Sequence, residues 1–370
     1  MRTLSTLSET CPEDPAVRRI GPHLALVDAA VPEPGPGQVL IRVVAAGVNR
    51  ADVAQSRGRY VPPAGSPLTL GLACAGTIAS VGPRVSRWHE GDAVCALVAG
   101  GACADLCLAD DGEVMPLPLT DLDPAQDPRY HPGFSAVSDE DALQTRLTRG
   151  TAAFAAAAIL VEASATTWLN LVRIGGLSPV PADNEGRVVL VHGGTGNVGS
   201  TAIQIARALG CRVLATAGSP ERALVCVKLG AEAALDRADD LPAFVRAQTG
   251  RHGADIILSV SGAGSFADDV KSLANHGTLA VIGLLGGTRS EIDLERMLSR
   301  NLSVHAETLR SQPGQVKAAL CDALETHVWP LVRRGLVRPV LAGVWPLEEA
   351  AQAHEAVLHG EHVGAHALLP

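Results

Sequence analysis

The chain has 370 residues, with 30 basic against 39 acidic side chains for a net charge of −9, and is 47% hydrophobic. This length suits two domains with a substantial core. Abundant apolar residues and 38 glycines without a triplet period exclude disorder and collagen. Acidity unbroken by any Lys/Arg-rich block argues against nucleic acid or an anionic membrane as partner.

Aromatics are scarce, with 4 Trp, 4 Phe and 2 Tyr, so the core is expected to be built from Ala, Val, Leu and Ile. Helices packed on parallel strands are made in this way. Residues 1–15 carry Glu9, Glu13 and Asp14 and no apolar segment, so no signal peptide is expected. The apolar run 152–161 ends at Glu162 and is too short to span a bilayer. The 8 Cys are scattered and read as reduced thiols in the cytoplasm, with Cys103 and Cys107 on one strand face as core packing.

The first third reads as β-rich. A strand is predicted over 39–46 after the turn cluster 32–37, and further short strands at 71–81 and 93–98, all punctuated by Gly, Pro and Asp as in a barrel-like unit. From 110 to 150 the texture becomes acidic and Pro-rich, which predicts an exposed excursion on the surface. An Ala-rich helix is predicted from Thr151 to Val172.

The strand 187–192 is followed directly by Gly193-Gly-Thr-Gly-Asn-Val-Gly199, a helix over 200–209 and a strand over 212–216. This is the βαβ unit of a dinucleotide fold, and strands at 256–260 and 278–282 extend it to a doubly wound parallel sheet. The tail predicts a helix from Gln315, a strand at 339–344 and a helix at 347–358.

Gly194, Gly196 and Gly199 give the spacing G-x-G-x-x-G. The first permits the tight turn, the second lets backbone approach a pyrophosphate, and the third lets helix pack closely on strand. The phosphates then sit at the N-terminus of the helix beginning near Asn197 and Val198. At the tip of the second strand the chain reads Ala217-Gly-Ser-Pro-Glu-Arg222, with no acid where an NAD site holds its ribose hydroxyls. Gly218, Ser219 and Arg222 would accept a 2′-phosphate, so NADPH is preferred, although Glu221 could face the same site.

Asn49-Arg-Ala-Asp52, Gly71-Leu-Ala-Cys-Ala-Gly76, Gly91-Asp92, the segment 188–208 and Leu309-Arg310-Ser311 together resemble the zinc-free quinone oxidoreductases of the medium-chain dehydrogenase/reductase superfamily. Within it, the branch typified by the p53-inducible quinone oxidoreductase looks most similar. The resemblance runs from about Val31 to Val363 and implies an α/β fold. A GroES-like β-barrel catalytic domain would cover 1–157 and 313–370, with 110–150 as its acidic excursion, and a Rossmann doubly wound domain would cover 158–312. Zinc-dependent relatives carry Cys near the Asn49 position and Gly-His-Glu at 71–73, where this chain has Gly-Leu-Ala, so no metal is expected.

Further roles follow from the resemblance. Tyr60 corresponds to a loop tyrosine that would donate a hydrogen bond to an oxygen gaining charge, against the alternative of a loop aromatic that only packs. Asn49 would touch the nicotinamide ribose or the substrate. Thr166, matched to a Thr at the start of the helix between the domains, would seat the cofactor or cap that helix. Gly283 and Gly286 fall in the nicotinamide loop, and Leu309, Arg310 and Ser311 form a late cofactor contact. Homodimers joined through Rossmann edge strands are implied, with 278–282 as a candidate contact.

The chain also departs from the family pattern. Ser259-Val-Ser-Gly262 replaces an Asp-led turn and loses a carboxylate, and Arg237 stands beside the position of a family tyrosine, where it would meet adenine or the 2′-phosphate. The activity expected is NADPH-dependent, zinc-independent reduction of a small quinone or α,β-unsaturated carbonyl. A dedicated biosynthetic enoyl or imine reductase, or an NADPH-binding sensor with little turnover, are the alternatives.

Overall fold

A strand of eleven residues, Gln38–Val48, is the spine of one part of the chain. Its β-branched side chains alternate about the pleat, and Val39, Ile41 and Val43 enter a common core with Cys74, Ile78 and Leu368. The computed structural model describes residues 1–6, 17–120, 131–132, 147–360 and 362–370; Tyr130 and most of the acidic excursion lie outside them. The chain divides into two compact units, Met1–Ala163 with Arg310–Pro370, and Ser164–Leu309.

In the first unit the spine strand pairs antiparallel with Ala73–Val81, Leu106–Asp110 and Ala365–Leu369. The sheet continues through Ala93–Leu97 to Val114–Pro116 on one side, and through Val340–Pro346 to His131–Pro132 on the other. A separate sheet of Arg2–Thr6, Leu24–Asp28 and Val17–Arg19 was not foreseen from the sequence. Nor was the strand Ala365–Leu369, while Leu106–Asp110 carries Cys107, one of the two cysteines expected on a strand face.

The expected excursion needs correction at its start. Residues 111–116 form a 3-10 turn and a strand, and Glu113, Val114, Met115, Leu117 and Leu119 are buried. Asp110 and Asp111 suggested solvent, but the apolar residues just after them decide the local structure. Cys107 lies on Leu106–Asp110 and Cys103 precedes that strand, both in the core, and the seven described cysteines are free thiols.

At the foot of Ala73–Val81, Gly71 adopts φ +101, and a Cβ there would come within 2.4 Å of the Cys103 backbone nitrogen. Glycine is required here both by conformation and by space.

The Ala-rich helix Arg149–Trp168 continues as a π-helical turn, Leu169–Ile174. The stretch Gly150–Ile174 is long and apolar enough to cross a membrane, but 89% of its apolar window is buried inside the protein, as befits a core helix.

The second unit holds a parallel sheet in the order Ala233–Asp236, Arg212–Ala217, Val188–Val191, Ala254–Ser259, Leu273–Val281, Ser303–Ala306. Val188–Val191 is central and all four of its residues are buried, which explains its unbroken apolar sequence. The order reverses beside this strand, the switch point where such sheets open a crevice. The segment 278–282 is not an edge, because Ser303–Ala306 pairs along its outer side. Four mostly exposed residues gave that last strand no apolar signal.

Gly71→Ala is expected to lower unfolding stability by about 3 kcal/mol, through a disfavoured backbone angle and a backbone clash. Urea unfolding of the variant beside the parent measures this.

Candidate active site

In the first unit the site is built around a short helix, Arg50–Ser56, that follows the spine strand. Asn49 stands at its N-cap in extended conformation, and Asp52 is the third helical residue, the spacing of a capping box. The Asn49 amide donates to Asp52 Oδ2 at 2.9 Å, and the Gly71 amide donates to Asp52 Oδ1 at 2.9 Å. Asp52 is 1% exposed. Burial pushes its carboxyl up to about 6, against the two backbone donors, the nearby Arg310 charge and the Asn49 side chain, which favour the ionised form. Asn49 is also buried, and its side chain donates weakly to the Gly47 carbonyl at 3.4 Å.

Arg310 belongs to this unit and not to the one that carries Leu309. Its guanidinium lies 5.5 Å from the centroid of the half-buried Tyr60 ring, within cation–π range. Nε donates to the Ala99 carbonyl and Nη1 to Gln55 Oε1, each at 2.6 Å. Gln55 is fixed in turn by donating to the Leu68 carbonyl at 3.1 Å. Burial lowers the Arg310 pKa, with Asp52 and Tyr60 acting in the opposite sense. Leu309, Arg310 and Ser311 form one 3-10 turn at the boundary of the two units, and Ser311 is exposed.

In the second unit the glycine turn opens the helix Asn197–Ala208, with Gly196 as its N-cap. Gly194 N–H donates to the Thr216 carbonyl at 2.9 Å, which ties the turn to the next strand. A Cβ on Gly199 would come within 2.1 Å of the Gly193 carbonyl oxygen, so no other residue fits there. Gly196 is different: it is exposed, and a Cβ would find nothing nearer than 3.5 Å. The turn is therefore closed on the protein side and open at the helix N-terminus. That is the cradle a pyrophosphate requires, with Asn197 and Val198 supplying first-turn N–H groups.

At the end of Arg212–Ala217 the exposed Gly218 is followed by Ser219, which caps the helix Pro220–Leu229 by accepting from Arg222 N–H. A Cβ on Gly218 would lie 3.7 Å from Arg222 Nη1 and 3.9 Å from Arg237 Cζ, so both guanidinium groups converge above it. Glu221 is fully exposed, and its hydrogen bond to the Ser219 side chain holds its carboxyl below the usual range. The residues present thus fit a dinucleotide that carries a further phosphate on its ribose.

Gly283 and Gly286 are explained by packing: a Cβ on either would run into Val260 or Gly264 within 2.8 Å. Thr166 requires a correction. It lies near the C-terminal end of Arg149–Trp168, not at a helix start, so it caps no N-terminus; its carbonyl accepts from Asn170 Nδ2 at 2.8 Å.

Sequence reasoning missed a buried polar chain beneath the glycine turn. His192 Nδ1 meets Thr216 Oγ1 at 2.9 Å and Nε2 meets Asp269 Oδ1 at 2.6 Å; Ser265 donates to Asp269 Oδ2 at 2.8 Å and lies 3.4 Å from Ser259 Oγ. Asp269 comes from the helix Phe266–Ser272 and is linked to Ser259 through Ser265. Gln55 was also missed, because a lone Gln in a helix carries no signal. Among the described residues, no group of three His, Cys, Asp or Glu side chains is gathered for a metal ion.

Residues 35–119 match the alcohol dehydrogenase GroES-like domain, and residues 197–325 match the family described as zinc-binding dehydrogenase. The chain is 30% identical over 337 residues to a quinone oxidoreductase of Mus musculus, covering 90% of this chain and 89% of that one. It is 33% identical over 336 residues to a mycocerosic acid synthase-like polyketide synthase of Mycobacterium tuberculosis, covering 90% of this chain and 14% of that much longer protein. The quinone oxidoreductase of Thermus thermophilus, solved alone and with NADPH, superposes with a TM-score of 0.72 at 28% identity over the full length of both chains. By these relationships the chain belongs to the quinone oxidoreductase family of the medium-chain dehydrogenase/reductase superfamily, an oxidoreductase with a GroES-like and a Rossmann-type domain.

Proposed function

We propose that the chain is an NADPH-dependent, zinc-independent reductase of small quinones or α,β-unsaturated carbonyls. The observation that carries the cofactor choice is the pair Arg222 and Arg237 over Gly218, where an NAD site places a carboxylate. Two guanidinium groups in reach of one phosphate form charge-assisted, fork-like hydrogen bonds, and they repel each other when the phosphate is absent. Gly194, Gly196 and Gly199, with the N–H groups of Asn197 and Val198, hold the pyrophosphate. Ser219 fixes the start of the next helix so that Arg222 is presented correctly. Thr166, Gly283, Gly286, Leu309, Arg310 and Ser311 are carried as cofactor contacts on family resemblance. Bound there, NADPH supplies a hydride to the electrophilic carbon of the acceptor.

The rest of the chemistry belongs to the first unit, the GroES-like catalytic domain. Tyr60 donates a hydrogen bond to the acceptor oxygen as it gains negative charge, and Asn49, held at the helix N-cap, orients the ribose or the acceptor. Asn49 and Gly71-Leu-Ala at the positions of metal ligands in zinc-dependent relatives support a route without zinc. A second reading, reduction of one enoyl intermediate in a biosynthetic sequence, is favoured by the similarity to a segment of a polyketide synthase. The chain is proposed to act in the cytoplasm, where its free thiols stay reduced, and as a homodimer through the exposed edge of Ser303–Ala306.

Tyr60→Phe is expected to lower kcat for ortho- and para-quinones about 100-fold with little change in NADPH affinity, read by NADPH oxidation and by fluorescence titration of the cofactor. An unchanged kcat removes the phenol from the mechanism. The double substitution Arg222→Ala with Arg237→Ala is expected to weaken NADPH at least about 30-fold while NADH changes less than about three-fold. Equal losses for both cofactors would contradict the phosphate assignment.

A further inference from the structure

His192 breaks the aliphatic run of the central strand in the second unit. Val188–Val191 are all buried, and the residue that follows is a His only 4% exposed. A buried imidazole is costly unless its nitrogens are paired, and an aliphatic side chain would pack there at less cost. Both nitrogens are paired, Nδ1 with Thr216 Oγ1 and Nε2 with Asp269 Oδ1. A carboxylate only accepts, so Nε2 carries the hydrogen. Asp269 is buried too, and its other oxygen accepts from Ser265. The ring sits where the sheet ends and the glycine turn begins. His192 N–H still donates to the Leu258 carbonyl at 3.0 Å as a strand residue does, whereas Gly193 has turned to φ +65. The Gly193 carbonyl then accepts from Gly196 N–H at 3.0 Å, at the N-cap of the helix Asn197–Ala208. Thr216 grips both sides of this bend: its hydroxyl meets His192 and its carbonyl accepts from Gly194 N–H.

We infer that His192, held between Thr216 and Asp269, is the positioning residue of the phosphate-binding turn and sets its affinity for the pyrophosphate of a dinucleotide without touching it. Hydrogen bonds give the bend one geometry, where apolar packing alone would let the strand end shift. A turn already held in place needs no ordering when the ligand arrives, so its phosphate contacts appear as affinity. The strand tip that carries Gly218 is held separately, because Arg237 N–H donates to the Ala217 carbonyl at 2.8 Å. Loosening His192 therefore acts on the turn and spares the two arginines. This deepens the proposed function and rests on it only for the ligand class, a dinucleotide.

Calorimetric titration of the full chain tests this without turnover, using two probes. ADP-ribose carries the pyrophosphate and no 2′-phosphate; adenosine 2′-phosphate carries the reverse. Thr216→Val deletes the hydroxyl at nearly constant volume and keeps the carbonyl that holds Gly194. It is expected to weaken ADP-ribose at least about ten-fold and adenosine 2′-phosphate less than about two-fold. Thr216→Ser, which returns the hydroxyl, is expected to bind ADP-ribose within about three-fold of the parent. His192→Phe is expected to match Thr216→Val, and the Thr216 pair decides the matter alone if the Phe variant does not fold. ADP-ribose bound equally well by parent and Thr216→Val overturns the inference, and so does an equal loss in the Val and Ser variants. A Thr216→Val variant that loses both probes alike also overturns it, since that is the signature of collapse. A parent that binds ADP-ribose but not adenosine 2′-phosphate removes the NADPH reading, and the Val–Ser comparison still decides the role of His192. A parent that prefers NADPH to NADH, with ADP-ribose unaffected in every variant, keeps that reading and removes the inference.

Discussion

The buried carboxylate of Asp52 is the contact on which the first unit's site depends. It accepts from the backbone of Asn49 and of Gly71, and so joins the end of the spine strand, the start of the short helix and the foot of the strand Ala73–Val81. Those three places fix Asn49, the loop that carries Tyr60 and the ground beneath Arg310. Desolvation opposes the ionised carboxylate, while backbone donors and the guanidinium favour it, and desolvation prevails in part. Near neutral pH the group is ionised and acts as the counter-charge to Arg310 without being consumed by it.

The second unit solves a different problem, holding charge on its surface. Its glycine turn is pressed against its own backbone at Gly199 and left open at Gly196, so closeness and access are divided between two glycines. Below it, the chain from Thr216 through His192 to Asp269 and Ser265 pairs buried polar atoms that a turn of this kind would otherwise strand. Arg222 and Arg237 come from two different segments, and both guanidinium groups lie within van der Waals reach of a Cβ at Gly218.

Much of this was legible in the sequence, and the reasons for the rest are physical. The central strand 188–191 and the glycine turn are local signals, apolar residues buried on both sides and a spacing set by phosphate geometry. Asn49, Tyr60, Gly283 and Gly286 were singled out through motif resemblance, and their roles are proposals. The strand Ser303–Ala306 was not legible because an edge strand needs no apolar pattern. Arg310 was assigned with its sequence neighbours, but its partners Gln55 and Ala99 are more than two hundred residues away, and only the fold brings them together. Asp269 escaped notice for the same reason: its partner His192 is 77 residues away in the chain.

The ionisation of Asp52 tests this account most directly. A group whose folded pKa is raised from 3.8 to about 6 binds its proton more tightly in the folded state, so its contribution to stability is complete below the lower value and falls by about 3 kcal/mol as pH rises through the upper one. Carboxyl carbon resonances of protein labelled at aspartate, followed from about pH 3 to 8, report it without unfolding. One resonance, absent from Asp52→Asn, is expected to titrate with a midpoint near 6. If the resonance lost in that variant titrates below about 4.5, the carboxylate is not the desolvated anchor described, and the charge balance beside Tyr60 must be held in another way.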